Sequence, residues 1–284
     1  MSNKTIIWIG AATMMAVAGI CQAADTEVLR QSARKIYQER QEAVVAVSAV
    51  LKLEMGGQTQ DRDLNLYGTV LDENGLTVVS CTMVDPFATL GDSLKMEGAG
   101  AATPKGTPSK IKIMLADGTE IPAKIAYEDP DMDLAFLVPE KGEKTLPKFC
   151  HVNPAEIPEA DVLDQLVTLQ RLPKSFDRKA AVGFCAVVSK LTKPRTVYIL
   201  DGFEGQPGQP VFRGDGQMQG LMVVRKQDNS ASGGRLQFGG ATVALPMKYI
   251  LRGMEQARTA KPEEKKAVAK PALPVAAPAA PAVK

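Results

Sequence analysis

The chain has 284 residues, of which 45% are hydrophobic, and its 34 basic side chains nearly balance its 32 acidic ones. This hydrophobic fraction supports a folded core. The balanced charge excludes the strongly basic surface on which nucleic-acid binding depends, so we expect no nucleic-acid partner.

The N-terminus is organised like a secretory signal. Lys4 precedes an apolar run from Ile6 to Ile20, and small residues follow it up to Ala23. The run is shorter than the roughly 20 residues that a membrane-spanning helix needs, which disfavours a membrane anchor. We predict that residues 1–23 are a signal peptide, that the chain is exported to the periplasm or exterior of a bacterial cell, and that the mature chain has no transmembrane segment.

The next segments predict one helix followed by many strands. Residues 24–42 carry Leu29, Ala33 and Ile36 at helical spacing, which predicts an amphipathic helix. From Ala43 the chain changes to short β-type runs separated by turn signals such as Asn74-Gly75. The predicted strands are 43–54, 67–72, 76–80, 110–115, 120–128, 134–139, 166–172, 182–191, 196–200, 210–214, 221–226 and 241–246. So many short strands predict an all-β sandwich or barrel.

Two further segments depart from the strand pattern. A stretch rich in Gly, Pro and Thr, at about residues 88–109, predicts an insertion. Residues 246–256 have apolar side chains on one helical face and predict a closing helix, whereas residues 259–284 are rich in Ala, Pro and Lys and predict a disordered tail.

The order of these segments resembles the trypsin-like serine proteases, and within them the HtrA/Deg type. Residues 67–86 resemble the strands that lead to the catalytic histidine, 111–140 resemble the stretch that carries the catalytic aspartate, and 203–224 resemble the nucleophile loop and its hairpin. The resemblance covers most of residues 43–252. It implies two six-stranded antiparallel β-barrels, which we assign to residues 43–155 and, with the closing helix, 156–258.

The same resemblance implies that the catalytic triad is degenerate. Asp133 stands at the position of the family's aspartate, Thr82 at that of the histidine and Pro207 at that of the serine. A threonine hydroxyl does not shuttle protons near neutral pH, and proline has neither a hydroxyl nor the backbone N–H that would stabilise an oxyanion. We therefore expect no catalysis and predict that Asp133 bonds to Thr82 or to backbone groups.

Other residues offer weaker catalytic alternatives. His151 is the chain's one histidine, but it falls on the connection between the predicted barrels. Cys81 adjoins Thr82, yet nothing near it in the sequence would lower its pKa, so a small buried side chain is the favoured interpretation. Cys81, Cys150 and Cys185 of the predicted mature chain are an odd number of cysteines, so at least one has no internal partner, and whether any two of them form a disulfide stays open.

Two remaining patterns concern metal ions and binding. The carboxylates at 129, 131 and 133 lack the rest of a calcium loop, so we expect no metal site, and we expect no cofactor. The candidate binding residues at the edge of the implied cleft are Gly205, Gln206, Gly208, Gln209 and Cys81.

The functional hypothesis that follows is a pseudoprotease that binds a polypeptide or protein partner through the former active-site cleft. Two alternatives stay open: a hydrolase with an unusual site, at Cys81 or elsewhere, and a structural or assembly protein of the cell envelope.

Overall fold

The computed structural model describes residues 27–55, 57–90, 105–140, 142, 145–202, 205–225 and 241–259. The predicted signal peptide lies outside these residues, as does the predicted tail after Thr259. Helix α1 covers residues 27–40 and continues into a 3-10 turn, Gln41–Ala43. The strands are β1 Val44–Met55, β2 Gln58–Val70, β3 Thr77–Ser80, β4 Lys105–Met114, β5 Glu120–Asp129, β6 Leu134–Pro139, β7 Gln165–Arg171, β8 Ala180–Leu191, β9 Val197–Asp201, β10 Pro210–Phe212, β11 Met218–Arg225 and β12 Ala241–Pro246. Three more helices are α2 Cys81–Val84, α3 Pro86–Leu90 and α4 Met247–Thr259.

The twelve strands form two closed antiparallel barrels. Six strands close the first barrel in the order β1-β2-β3-β6-β5-β4, and the other six close the second in the order β10-β11-β12-β9-β8-β7. This is the double-barrel architecture of the trypsin-like fold, and it confirms the predicted fold class.

Three apolar cores hold this architecture together. One fills the first barrel, around Val47 and Ile113, and one fills the second, around Tyr198 and Met222. The largest core lies between the barrels and takes in side chains from α1 and α4 as well as from both sheets. The helices therefore cover the inter-barrel core.

Helix α4 crosses from the second barrel to the first. Near its start, Tyr249 accepts a hydrogen bond from the backbone N–H of Thr196 through its hydroxyl. Farther along, a Cβ added at Gly253 would lie 2.6 Å from the ring of Phe136, so glycine permits close packing on β6. At its end, Arg258 contacts Asp72 in the turn between β2 and β3. The described chain consequently ends beside the first barrel.

Strand β2 is longer than the sequence predicts, because it begins at Gln58 rather than at Tyr67. Residues 58–63 are all exposed and polar, so they carry no alternating apolar pattern. They form a strand because they pair residue by residue with β1 in a long hairpin. The predicted insertion at 88–109 is also too wide, since α3 extends to Leu90 and β4 begins at Lys105.

Candidate functional site

Asp133 lies at the centre of the site, immediately before β6. Its carboxylate is only 3% exposed and accepts three hydrogen bonds. The Ser80 hydroxyl and the backbone N–H of Val224 donate to Oδ2 over 2.7 and 2.6 Å, and the N–H of Thr82 donates to Oδ1 over 2.7 Å. The prediction that Asp133 bonds to backbone groups is confirmed. Because Val224 belongs to β11, the carboxylate links the two barrels.

The burial of Asp133 affects its protonation. Removal from water raises the pKa of its carboxyl, and the hydrogen bonds from Ser80, Thr82 and Val224 act in the opposite direction. No histidine bonds to this carboxylate, whose two oxygens are occupied by the three donors above. Its role in the structure is therefore to accept hydrogen bonds across the barrel interface.

Thr82 lies on the short helix α2, which directly follows β3. Ser80 is the N-cap of α2, where its Oγ accepts a bond from the N–H of Met83 over 3.4 Å while donating to Asp133. The backbone N–H of Cys81 donates to the carbonyl of Asp133 over 3.1 Å. These bonds hold the start of α2 against the turn before β6.

The turn Gly205–Gln209, called the 205–209 turn below, packs into the interface between the barrels. Its residues Pro207, Gly208 and Gln209 are buried, Gly205 is half-buried and Gln206 is exposed. Gly208 has φ +91°, and a Cβ added there would overlap the carbonyl of Tyr67 on β2. Glycine is required here both by the backbone conformation and by the close approach of the first barrel.

Hydrogen bonds fix this turn on both sides. The N–H of Gly208 donates to the carbonyl of Met222 over 2.7 Å, and its own carbonyl accepts from the Thr69 hydroxyl over 2.9 Å. The side chain of Gln209, 1% exposed, accepts from the N–H of Gln206 and donates to the carbonyl of Arg171. Inside the turn, the N–H of Gln206 is thus occupied by the turn's own side chain.

The three positions that the resemblance equates with a catalytic triad lie near one end of β11. Asp133, which is joined to Thr82, bonds to Val224, and the 205–209 turn bonds to Met222. Met222 and Val224 are two residues apart on β11, about 7 Å along the strand, so the two contacts lie next to each other. The described residues at this location provide neither a histidine nor a hydroxyl at the Pro207 position.

Arg171 forms a second link between the barrels. It is 8% exposed, and its guanidinium donates to the carbonyls of Val44, Gln41 and Arg178. Burial lowers the pKa of this guanidinium, an effect that Glu42 partly offsets. Arg171 was not among the residues predicted from the sequence, where its signal is a lone arginine at the end of an apolar strand.

Cys81 and His151 are the two other residues considered above as catalytic candidates. Cys81 is 0% exposed at the start of α2. His151 lies on the connection between the barrels, where its Nδ1 is 3.2 Å from the carbonyl of Phe149 and its own carbonyl accepts from Arg40. Cys81, Cys150 and Cys185 form no disulfide with one another.

Among the described residues, one edge of β2, called the open edge below, has no strand partner over residues 58–67. Along β2, residues 58–70 pair with β1, but only residues 68–70 pair with β3, and no other described strand pairs with the preceding part. The N–H of Leu71 bonds to Leu76 on the β3 side, so odd-numbered residues direct their backbone groups away from β1. The backbone groups of Thr59, Asp61, Asp63 and Asn65 therefore face outward from the sheet.

Comparisons with protein-family models and with curated proteins found no match to this chain. Within the part of the chain that the structure describes, no helix combines the length and hydrophobicity required to cross a bilayer. The described residues also include no cluster of three histidine, cysteine or acidic side chains suited to holding a metal ion.

Proposed function

We propose that this protein is a catalytically inactive relative of the trypsin-like proteases, of the HtrA type, that binds an extended polypeptide segment along the open edge of β2. The observation that carries the proposal is this edge, which follows one strand for about 30 Å and has no strand partner among the described residues.

The proposal of inactivity is supported by the contacts of the three triad positions. Thr82 offers no imidazole, Pro207 is buried without a hydroxyl, and all three hydrogen bonds of Asp133 go to groups of the fold. A nucleophile needs a base within hydrogen-bonding reach, and a third group to orient that base. Cys81 does not replace the nucleophile, because it is fully buried.

The proposal of peptide binding is supported by the backbone geometry of β2. Edge residues with outward N–H and C=O groups accept a further strand, and hydrogen bonds along the main chain then provide affinity with little dependence on sequence. Three of the five predicted binding residues, Gly208, Gln209 and Cys81, are buried, so we assign recognition to the open edge of β2 rather than to the 205–209 turn.

Side chains on the outer face of this edge indicate the charge of the ligand. Asp61 lies opposite Lys52 on β1, whereas Asp63 lies opposite Val50 and has no basic residue directly across the strand pair. Opposite charges on neighbouring strands attract, and charges on an edge also prevent indiscriminate pairing. We therefore expect a peptide with Lys or Arg near the position that faces Asp63.

The test uses unfolded, carboxymethylated casein as the polypeptide probe. Asp63→Pro removes one outward N–H without removing a bond to β1, since proline is tolerated at such edge positions. Asp63→Ala removes the same carboxylate and keeps the N–H, so it is the matched control. We expect weaker binding for Asp63→Pro than for Asp63→Ala in fluorescence anisotropy; equal binding, or no binding by the parent protein, would reject the β2 edge.

We also propose that the protein is exported, on the strength of residues 1–23. Mass spectrometry of the protein from the periplasmic or extracellular fraction tests this, and a mature chain that begins at Ala24 is expected. A chain that retains Met1 and remains in the cytoplasm would contradict export.

A further inference from the structure

A surface groove lies on the first barrel, away from the site described above. Its volume is ≈ 580 Å³, and its lining includes Val138 and Pro139 at the end of β6 and Leu146 and Pro147 on the connection that follows. Asn74 contributes to the same lining from the turn between β2 and β3. Four of the seven lining residues are apolar, and the other three are Glu73, Asn74 and Lys148. A volume within the roughly 300–1,000 Å³ of ligand pockets, with a lining that combines apolar and polar side chains, is typical of a binding groove.

The residues next to the groove lining are closely packed. A Cβ added at Gly75 would lie 2.6 Å from the Phe149 ring and 2.8 Å from the side chain of Pro139. The N–H of Phe149 donates to the carbonyl of Glu73 over 3.2 Å, and Lys148 and Glu73 form an ion pair at the rim. The groove is therefore preformed, which lowers the entropic cost of filling it.

Helix α4 brings the end of the described chain next to this groove. Arg258 donates to Oδ2 of Asp72 over 3.1 Å, and Oδ1 of the same aspartate accepts from the N–H of Asn74 over 3.0 Å. The last turn of α4 thus contacts Asp72, which lies two residues before Asn74 of the groove lining. The sequence continues for 25 residues beyond Thr259, the difference between 284 and 259.

The sequence that follows matches the groove in chemistry. Residues 271–275 read Pro-Ala-Leu-Pro-Val, an apolar stretch in which a leucine stands between two prolines. Proline-rich segments favour the extended polyproline conformation, whose backbone carbonyls have no internal partners and can accept bonds from a side-chain amide such as that of Asn74. They also have less conformational freedom to lose on docking.

The intervening chain easily reaches the groove. Residues 260–270 span at most about 38 Å when extended. Because the end of α4 already contacts Asp72, in the turn that contributes to the groove, this length is enough to connect α4 to the groove. A ligand tethered this closely has an effective concentration on the order of millimolar, so docking within one chain needs only modest intrinsic affinity.

We propose that this groove binds the chain's own Pro271–Val275 segment, with Leu273 inserted between the side chains of Val138 and Leu146. The groove is then an intramolecular site for a proline-rich apolar peptide, separate from the β2 edge. The inference does not depend on the proposed function.

Photo-cross-linking in the full chain tests this docking. A benzoylphenylalanine introduced at Leu273 is expected to cross-link within one chain to peptides that contain residues 138–139 or 146–148, identified by mass spectrometry. Pro147→Glu introduces a charge into the lining at an exposed position, and Leu146→Asp does so at a half-buried one. Both variants are expected to lower the yield of this cross-link about tenfold, as for a loss of binding of similar size.

Thr145→Glu is the matched control, because it adds the same charge at an exposed residue outside the lining. Its yield should equal that of the parent chain, and circular dichroism of each variant shows that the barrels are folded. Cross-links scattered over other surfaces, an unchanged yield in Pro147→Glu, or cross-links at the groove only between two chains would overturn the proposal.

Discussion

Removing the Asp133 carboxylate deletes the acceptor that joins the first barrel to β11. In Asp133→Ala, the backbone N–H groups of Thr82 and Val224 lose their acceptor, whereas the Ser80 hydroxyl can rotate to another partner. Each buried donor left without a partner costs about 1–3 kcal/mol, or about 2–6 kcal/mol for the two. The carboxylate itself is destabilised by burial, which offsets part of this loss. We expect a net loss of about 2–4 kcal/mol in the free energy of unfolding.

Asp133→Asn separates the charge from the hydrogen bonds. The remaining oxygen can accept from Ser80 and Val224, but the new NH₂ group would face the N–H of Thr82. One unsatisfied donor predicts a loss of about 1–3 kcal/mol, smaller than that of the alanine variant.

The pH dependence of the Asn penalty has a defined sign. Because burial raises the pKa of Asp133, its protonation stabilises the folded state, fully so below the unfolded pKa of about 3.9. That stabilisation is lost as pH rises through the raised pKa, and asparagine lacks it at every pH. The loss of stability in Asp133→Asn should therefore be larger near pH 4 than near pH 7.

Urea unfolding followed by far-ultraviolet circular dichroism measures both variants. Amide hydrogen exchange at Val224 supplies a local readout, and exchange at this residue should become faster in the alanine variant. An alanine penalty below about 1 kcal/mol would refute the inter-barrel link, since it is less than the cost of one unsatisfied donor. An asparagine penalty that grows with pH would refute the assignment of the raised pKa.

Two further predictions follow from the same interface and from the cysteines. Gly208→Ala should lower the free energy of unfolding in urea by at least about 3 kcal/mol, because the residue has φ +91° and the new Cβ would overlap Tyr67. The control is Gly118→Ala, where φ is +87° and a Cβ would have nothing within 4 Å, so only the roughly 1–2 kcal/mol cost of the left-handed backbone is expected. Equal losses in the two variants would contradict the close approach of Gly208 to Tyr67. Among Cys81, Cys150 and Cys185 of the folded protein, a thiol reagent should modify Cys150 first, because Cys81 is fully buried and burial raises the pKa of Cys185 to about 12. Burial also raises the pKa of Cys150, so its modification should become faster as pH rises above 8. Rapid modification of Cys81 or Cys185 before unfolding would contradict their burial.

The strands followed from local patterns, because each of the twelve predicted strands corresponds to a strand of the structure, whereas the pair of closed barrels followed from the resemblance. The first half of β2 did not follow from local patterns, since the exposed polar residues 58–63 form a strand only through pairing with β1. Here tertiary pairing overrides a local sequence that carries no strand signal.

The hydrogen bonds of Asp133 to backbone groups were predicted from the sequence, after the resemblance had drawn attention to this residue. The other contacts around it were not predicted. The 205–209 turn packs against the first barrel through the contact of Gly208 with Tyr67, which lies more than a hundred residues earlier in the chain. Arg171 likewise donates hydrogen bonds to the carbonyls of Gln41 and Val44, which lie far from it in the chain. The sequence around Arg171 does not indicate these bonds.

The most direct test of the central claim is to follow binding and cleavage of fluorescent carboxymethylated casein in one sample, with a fluorophosphonate probe added to a parallel one. We predict a rise in anisotropy, intact casein on a denaturing gel and no labelling by the probe. Casein fragments or probe labelling that disappear when one residue of the site, such as Cys81, is replaced would contradict the claim that the protein binds without cutting.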